Sequence, residues 1–111
     1  MEIKIGTAGT ASRTVTEKDT ALAVKSGSLQ VLATPVLSAL MEEAAVAALA
    51  PYLPSKQTTV GGFIVVRHNA PTPVGQTIKA TATVTAVRGK KISFTITASD
   101  ENGAIGEAEH T

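Results

Sequence analysis

Thr34-Pro35-Val36-Leu37-Ser38-Ala39-Leu40-Met41-Glu42-Glu43-Ala44-Ala45-Val46-Ala47-Ala48-Leu49-Ala50-Pro51-Tyr52 is the stretch on which the fold turns. Val36, Leu37, Leu40, Met41, Ala44, Ala45, Ala48 and Leu49 recur at the three- and four-residue spacing of one helix face, a broad apolar stripe broken by Glu42 and Glu43. Thr34 can cap the free N–H groups of a first turn, Pro35 sits where a missing N–H costs nothing, and Pro51 and Pro54 end the run. The spacing predicts one long alanine-rich helix over roughly 34–52. Such a stripe needs a surface to cover.

Downstream, the period changes from helix to strand. Ile78, Ala80, Ala82, Val84 and Ala86 alternate with Thr77, Lys79, Thr81, Thr83 and Thr85, the pattern of a half-buried strand. Ile92, Phe94, Ile96 and Ala98 repeat it, and the short Arg88-Gly89-Lys90-Lys91 link makes the two a hairpin. Asn102-Gly103 is a turn signal, and 104–111 reads as a third strand. Between helix and hairpin, 58–68 is rich in Val and Ile, carries Gly61-Gly62 near its start and exits into a Pro-rich loop. The first 20 residues are polar and threonine-rich, with a strand predicted at 11–16. The fold class expected is α+β: one central helix packed on one face of an antiparallel sheet, a single domain over 1–111.

The chain is 43% apolar but has only three aromatics, Tyr52, Phe63 and Phe94, so the core must be filled by Val, Ile, Leu and Ala. Ten Lys and Arg against nine Asp and Glu leave a net charge of +1 with no long run of either sign, which argues against nucleic acid or a membrane as partner. Without cysteine there is no disulfide, thiolate nucleophile or Cys-based metal site. The start carries no signal-peptide run, and no stretch reaches the ~18 apolar residues needed to cross a bilayer. A soluble, cytoplasmic protein is expected.

Few side chains can do chemistry: Glu42, Glu43, His68 and His110, with Thr34 as the best-placed hydroxyl. Glu42 stands in the least polar part of the chain. It is either a solvated helix residue or a partly desolvated carboxyl tuned for acid–base work. His68 shares strand parity with Ile64 and Val66 and is open to a structural or a catalytic reading. Gly61-Gly62 marks a bulge or a place where a ligand nears the backbone. The basic Arg88-Gly89-Lys90-Lys91 tip is a solvated turn or a phosphate contact. His110 alternates with Ala108 and carries no independent signal. No P-loop, dinucleotide fingerprint, metal-ligand spacing or Gly-x-Ser-x-Gly elbow occurs.

A long helix with a threonine at its start and a glutamate inside it, followed by a His before a Thr-Pro-x-Gly turn, resembles the hot-dog-fold thioesterases, most closely the fluoroacetyl-CoA thioesterase family. The matching segments are Val31-Leu32-Ala33-Thr34, Leu40-Met41-Glu42, Ala50-Pro51-Tyr52-Leu53, His68 with Thr72-Pro73-Val74-Gly75, and Ile105-Gly106 through His110, about three-quarters of the chain. Glu42 follows Thr34 by eight residues and His68 follows Glu42 by 26, as in that family's Thr, Glu and His set. The resemblance implies that Thr34, Glu42 and His68 are catalytic, that Gly61 and Gly62 lie beside the substrate, and that an acyl-CoA thioester is hydrolysed with no metal or cofactor. Noncatalytic acyl-CoA binding and hot-dog hydratase or dehydratase chemistry are the alternatives.

Two departures bear on substrate. The family's fluorinated preference is linked to phenylalanines in a lid before the triad threonine, whereas the corresponding stretch here, Val24-Lys25-Ser26-Gly27-Ser28-Leu29, has no aromatic. A different short or medium acyl group is therefore expected. The family also carries an arginine soon after the His of its last strand, where it can meet CoA, and this sequence ends at Thr111. Eight helical residues rise about 12 Å, so Thr34 and Glu42 of one helix cannot easily meet at one carbon. A twofold homodimer with helices facing antiparallel resolves this, giving two equivalent sites at the interface.

Overall fold

The structure is a computed structural model that describes residues 3–53 and 61–111. Five strands form one antiparallel sheet: β1 (Ala8–Thr14), β2 (Ile64–His68), β3 (Thr77–Arg88), β4 (Lys91–Asp100) and β5 (Gly103–His110), in spatial order β1-β3-β4-β5-β2. The helix α1 (Thr34–Leu49) continues into a short 3-10 turn at Ala50–Tyr52 and lies across β1, β3 and β4. Fold class and central helix are as the sequence predicts. No helix among the described residues is long and apolar enough to cross a membrane.

Alternation on β3 and β4 places Ile78, Ala80, Ala82, Val84, Phe94, Ile96 and Ala98 on the helix side, where all are buried. From α1 they meet Leu37, Leu40, Met41, Ala44, Ala45, Ala48 and Leu49. Each fully buried Leu or Ile contributes roughly 1.5–3 kcal/mol over leaving it in water. The alanines contribute little area but let the helix sit close. At Gly9 on β1 a Cβ would lie 2.2 Å from the backbone nitrogen of Ala48 and 2.7 Å from the carbonyl oxygen of Ala44. Only glycine permits this crossing.

Three boundaries differ from those read in the sequence. The first strand is Ala8–Thr14, not 11–16, because its limits follow its pairing with β3, Ala8 opposite Thr83 through Thr14 opposite Thr77. The strand expected over 58–68 runs as Ile64–His68, and 58–60 lie outside the described residues. Thr34 is not the cap of α1. Ala33 holds the cap position with extended backbone and no side-chain cap, and the Thr34 hydroxyl bonds elsewhere.

The segment before the helix is tied down by polar contacts. Arg13 grips Asp19 through Nε at 3.1 Å and a second guanidinium nitrogen at 2.6 Å, while the Thr16 N–H and hydroxyl both donate to Asp19 Oδ2. The Ala33 N–H donates to the Asp19 carbonyl at 2.8 Å, so this cluster fixes where α1 begins. From the other side, Leu32 N–H donates to the carbonyl of buried Thr72 at 2.8 Å, and the Thr72 hydroxyl donates to Asp100 at 2.8 Å.

Candidate active site

Thr34 and His68 border one cleft beside α1, and Glu42, Gly61 and Gly62 another. At the helix N-terminus, His68 ends β2 and presents Nδ1 to Thr34 Oγ1 at 2.8 Å. This follows from chain order: the Thr72 and Pro73 contacts bring the loop after β2 against Val31 and Leu32, so the strand end must meet the helix start. His68 Nε2 is buried and has no hydrogen-bond partner among the described residues. The pair borders an open cleft of about 390 Å³ that is also lined by Ser26, Gly27, Ser28 and Leu29. Burial pushes the His68 imidazole below the usual histidine value, partly offset by the Ala70 backbone. A neutral ring at physiological pH follows.

Glu42 lies two turns further along the helix, on the flank of the apolar stripe. Its side chain is 43% exposed, between the two environments that the sequence leaves open. Its Oε2 stands 3.9 Å from His110 Nε2. A Cβ on Gly61 would be 2.8 Å from each of those two atoms, so only a residue without one leaves that gap open. These residues lie in a cleft of about 320 Å³ with apolar walls from Ala45, Leu49, Phe63 and Phe94. Gly62 borders the same cleft and donates its N–H to the Thr111 carbonyl at 3.0 Å, extending the β2–β5 pairing past the strand ends.

Of the residues singled out in the sequence, Thr34 and His68 touch, while Glu42, Gly61 and Gly62 line the other cleft. The residue that sequence reasoning named but gave no role is His110, which is buried against Phe94 with ring centroids 5.8 Å apart. The available signal was its parity with buried Ala108, which puts an imidazole on the inward column of β5. The arrangement offers a neutral imidazole steered by a hydroxyl, a carboxylate facing a glycine backbone, and apolar walls. These are the parts of a general acid–base hydrolase.

Similarity to known proteins identifies the family. The family described as fluoroacetyl-CoA-specific thioesterase matches residues 15–111. The fluoroacetyl-CoA thioesterase of Streptantibioticus cattleyicolor is 40% identical over 81 residues, covering 73% of this chain and 58% of that protein. The chain thus matches less than two thirds of that relative's length. A crystal structure of a mutant fluoroacetyl-CoA-specific thioesterase in complex with fluoroacetate and CoA superposes with a TM-score of 0.90 at 32% identity, covering 96% of this chain and 90% of that one. A hot-dog-like protein from Thermanaerovibrio acidaminovorans superposes with a TM-score of 0.87 at 26% identity, over 97% of this chain and 80% of that one. By sequence and by fold alike, the chain belongs to the fluoroacetyl-CoA-specific thioesterase family and has the hot-dog fold.

Proposed function

We propose that this protein hydrolyses a short or medium acyl-CoA to the free acid and CoA in a cleft completed by a second copy of the chain. The observation that carries the reading is the separation on one rigid helix of the Thr34–His68 pair from Glu42, which faces Gly61 and His110. Two antiparallel helices related by a twofold axis set Glu42 of each protomer opposite the Thr34–His68 pair of its partner. The edge of the sheet supports such a pairing. Among the described residues strand β2 has a neighbour only on its β5 side, and beside this open edge Phe63 is 56% and Val65 43% exposed.

In this site Glu42 of one protomer attacks the thioester carbonyl carbon or takes a proton from the attacking water. His68 of its partner, with Nδ1 held by Thr34, directs Nε2 toward the substrate; its neutral ring takes up the proton that the attacking water gives up, by way of Glu42 where that carboxylate is the base, and passes it to the departing CoA thiolate. The N–H groups of Gly62 and Phe63 are both engaged by the Thr111 carbonyl. The Gly61 N–H, beside Glu42 and His110, is the backbone donor offered to the developing oxyanion. Water supplies the oxygen of the acid, and the thiolate leaves as CoA–SH. The lid-position stretch 24–29 holds no aromatic, so fluoroacetyl is not the preferred acyl group. The cytoplasmic acyl-CoA pool is the matching location.

A thiol-release assay over short-chain, branched, aromatic and halogenated acyl-CoAs tests activity and substrate together. Glu42→Gln and His68→Ala should each lower kcat/KM at least ~100-fold on the best substrate. Unchanged kcat/KM in both variants would refute the assignment, and saturable CoA binding without hydrolysis of any substrate would mark a binding module instead.

A further inference from the structure

We infer that His110 is a positioning residue for Glu42, its buried imidazole holding the carboxylate in the orientation from which it acts on the thioester. The inference rests on the thioesterase reading above and adds a residue outside the Thr34, Glu42 and His68 set.

The His110 side chain is 9% exposed, and both ring nitrogens are buried with no hydrogen-bond partner among the described residues. An unpartnered buried polar atom costs about 1–3 kcal/mol, which an apolar side chain of similar size would avoid. Packing on Phe94 therefore does not explain a histidine at this position. The nearest charged group is Glu42, whose Oε2 lies 3.9 Å from Nε2. That is roughly 1 Å longer than a charge-assisted N–H···O bond. Gly61 keeps the gap clear, since a methyl there would occupy the space between the two side chains.

Closing this distance takes about 1 Å of movement in a Glu42 side chain that is 43% exposed. Two lysines compete for it. Lys90 and Lys91 from the β3–β4 turn line the same cleft, and these two, with Glu42 and His110, are its titratable side chains among the described residues. A carboxylate drawn toward the lysines faces the cleft mouth, whereas one bonded to His110 Nε2 stays beside the Gly61 backbone, where the thioester carbonyl is placed. His110 selects the second orientation and does not itself touch the reacting atoms.

The test measures kcat and KM for wild type, His110→Ala, His110→Gln, Glu42→Gln and the His110→Ala, Glu42→Gln double variant on the best acyl-CoA, with thermal melts alongside. His110→Ala should lower kcat about 30-fold or more with KM within about threefold, because the loss falls on the chemical step. His110→Gln, whose amide nitrogen reaches close to the Nε2 position, should recover most of that loss. In the Glu42→Gln background His110→Ala should cost less than about twofold, since a residue acting through another has nothing left to position. A full, additive loss in that background, or a loss confined to KM, overturns the inference. If His110→Ala does not fold, His110→Gln against His110→Asn decides, because the shorter amide reaches only the Nδ1 position; equal activity of the two overturns it. An active wild type with an indifferent His110→Ala sinks only this inference. A wild type that hydrolyses nothing sinks the thioesterase reading as well.

Discussion

Thr34 has a choice between its own helix and His68, and the geometry gives its hydroxyl to His68. Burial of the ring makes the His68 charge state matter for stability. Its folded value lies below the unfolded value of about 6.5, so the unfolded chain binds more protons just below that pH. Stability should therefore fall as pH drops from about 6.5 toward the folded value, then level off. Urea midpoints measured between pH 7.5 and 5 should show this decline, and His68→Gln should flatten it; an identical slope in both proteins would contradict the assignment. Asp19 works in a separate window. The Arg13 guanidinium holds its carboxyl below the usual 3.8, against the opposing effect of burial, so its contribution is present above that value and is lost as pH falls through the lower folded one. Asp19→Asn should cost about 1–3 kcal/mol at neutral pH, measured by chemical denaturation.

At the scale of the elements, what could be read in the sequence depended on how local its cause was. The helix and the β3–β4 hairpin follow from periodicity and turn residues that lie within their own spans, and both are where the pattern puts them. Strand β1 has no such signal: Ala8-Gly9-Thr10 is neither apolar nor alternating, and its place is set by β3 and by the helix passing over Gly9. The same logic separates the site residues. Glu42 and His68 stood out as titratable groups on apolar elements, while His110 gained meaning only beside Glu42, 68 residues earlier in the chain. Thr34 looked like a cap because the competing partner, His68, is 34 residues away. The close helix crossing gives a test at this scale. Gly9→Ala should destabilise by about 2–3 kcal/mol, or roughly 10 °C or more in Tm, since neither Ala48 backbone nor β1 can yield cheaply. A Tm within a degree or two of wild type would show that the crossing has slack.

At the scale of the whole molecule, a site shared between two chains makes a prediction that no single-chain site makes. Mixing Glu42→Gln and His68→Ala proteins, each nearly inactive, and allowing subunits to exchange should restore activity. A mixed dimer has one site with both defects and one with neither. With half of the dimers mixed, about one quarter of wild-type activity should return. No recovery after proven exchange would place all three groups in one chain and remove the reason for the dimer.

The open edge of β2 also governs how the protein fails. Its backbone N–H and C=O groups face outward beside Phe63 and Val65, and in the proposed dimer a protomer that has lost its partner presents them to any extended chain it meets. Dilution, or a mutation that weakens the pairing, would then do more than lower activity. It would release a template for misassembly, so that solubility and quaternary structure are one property of this fold.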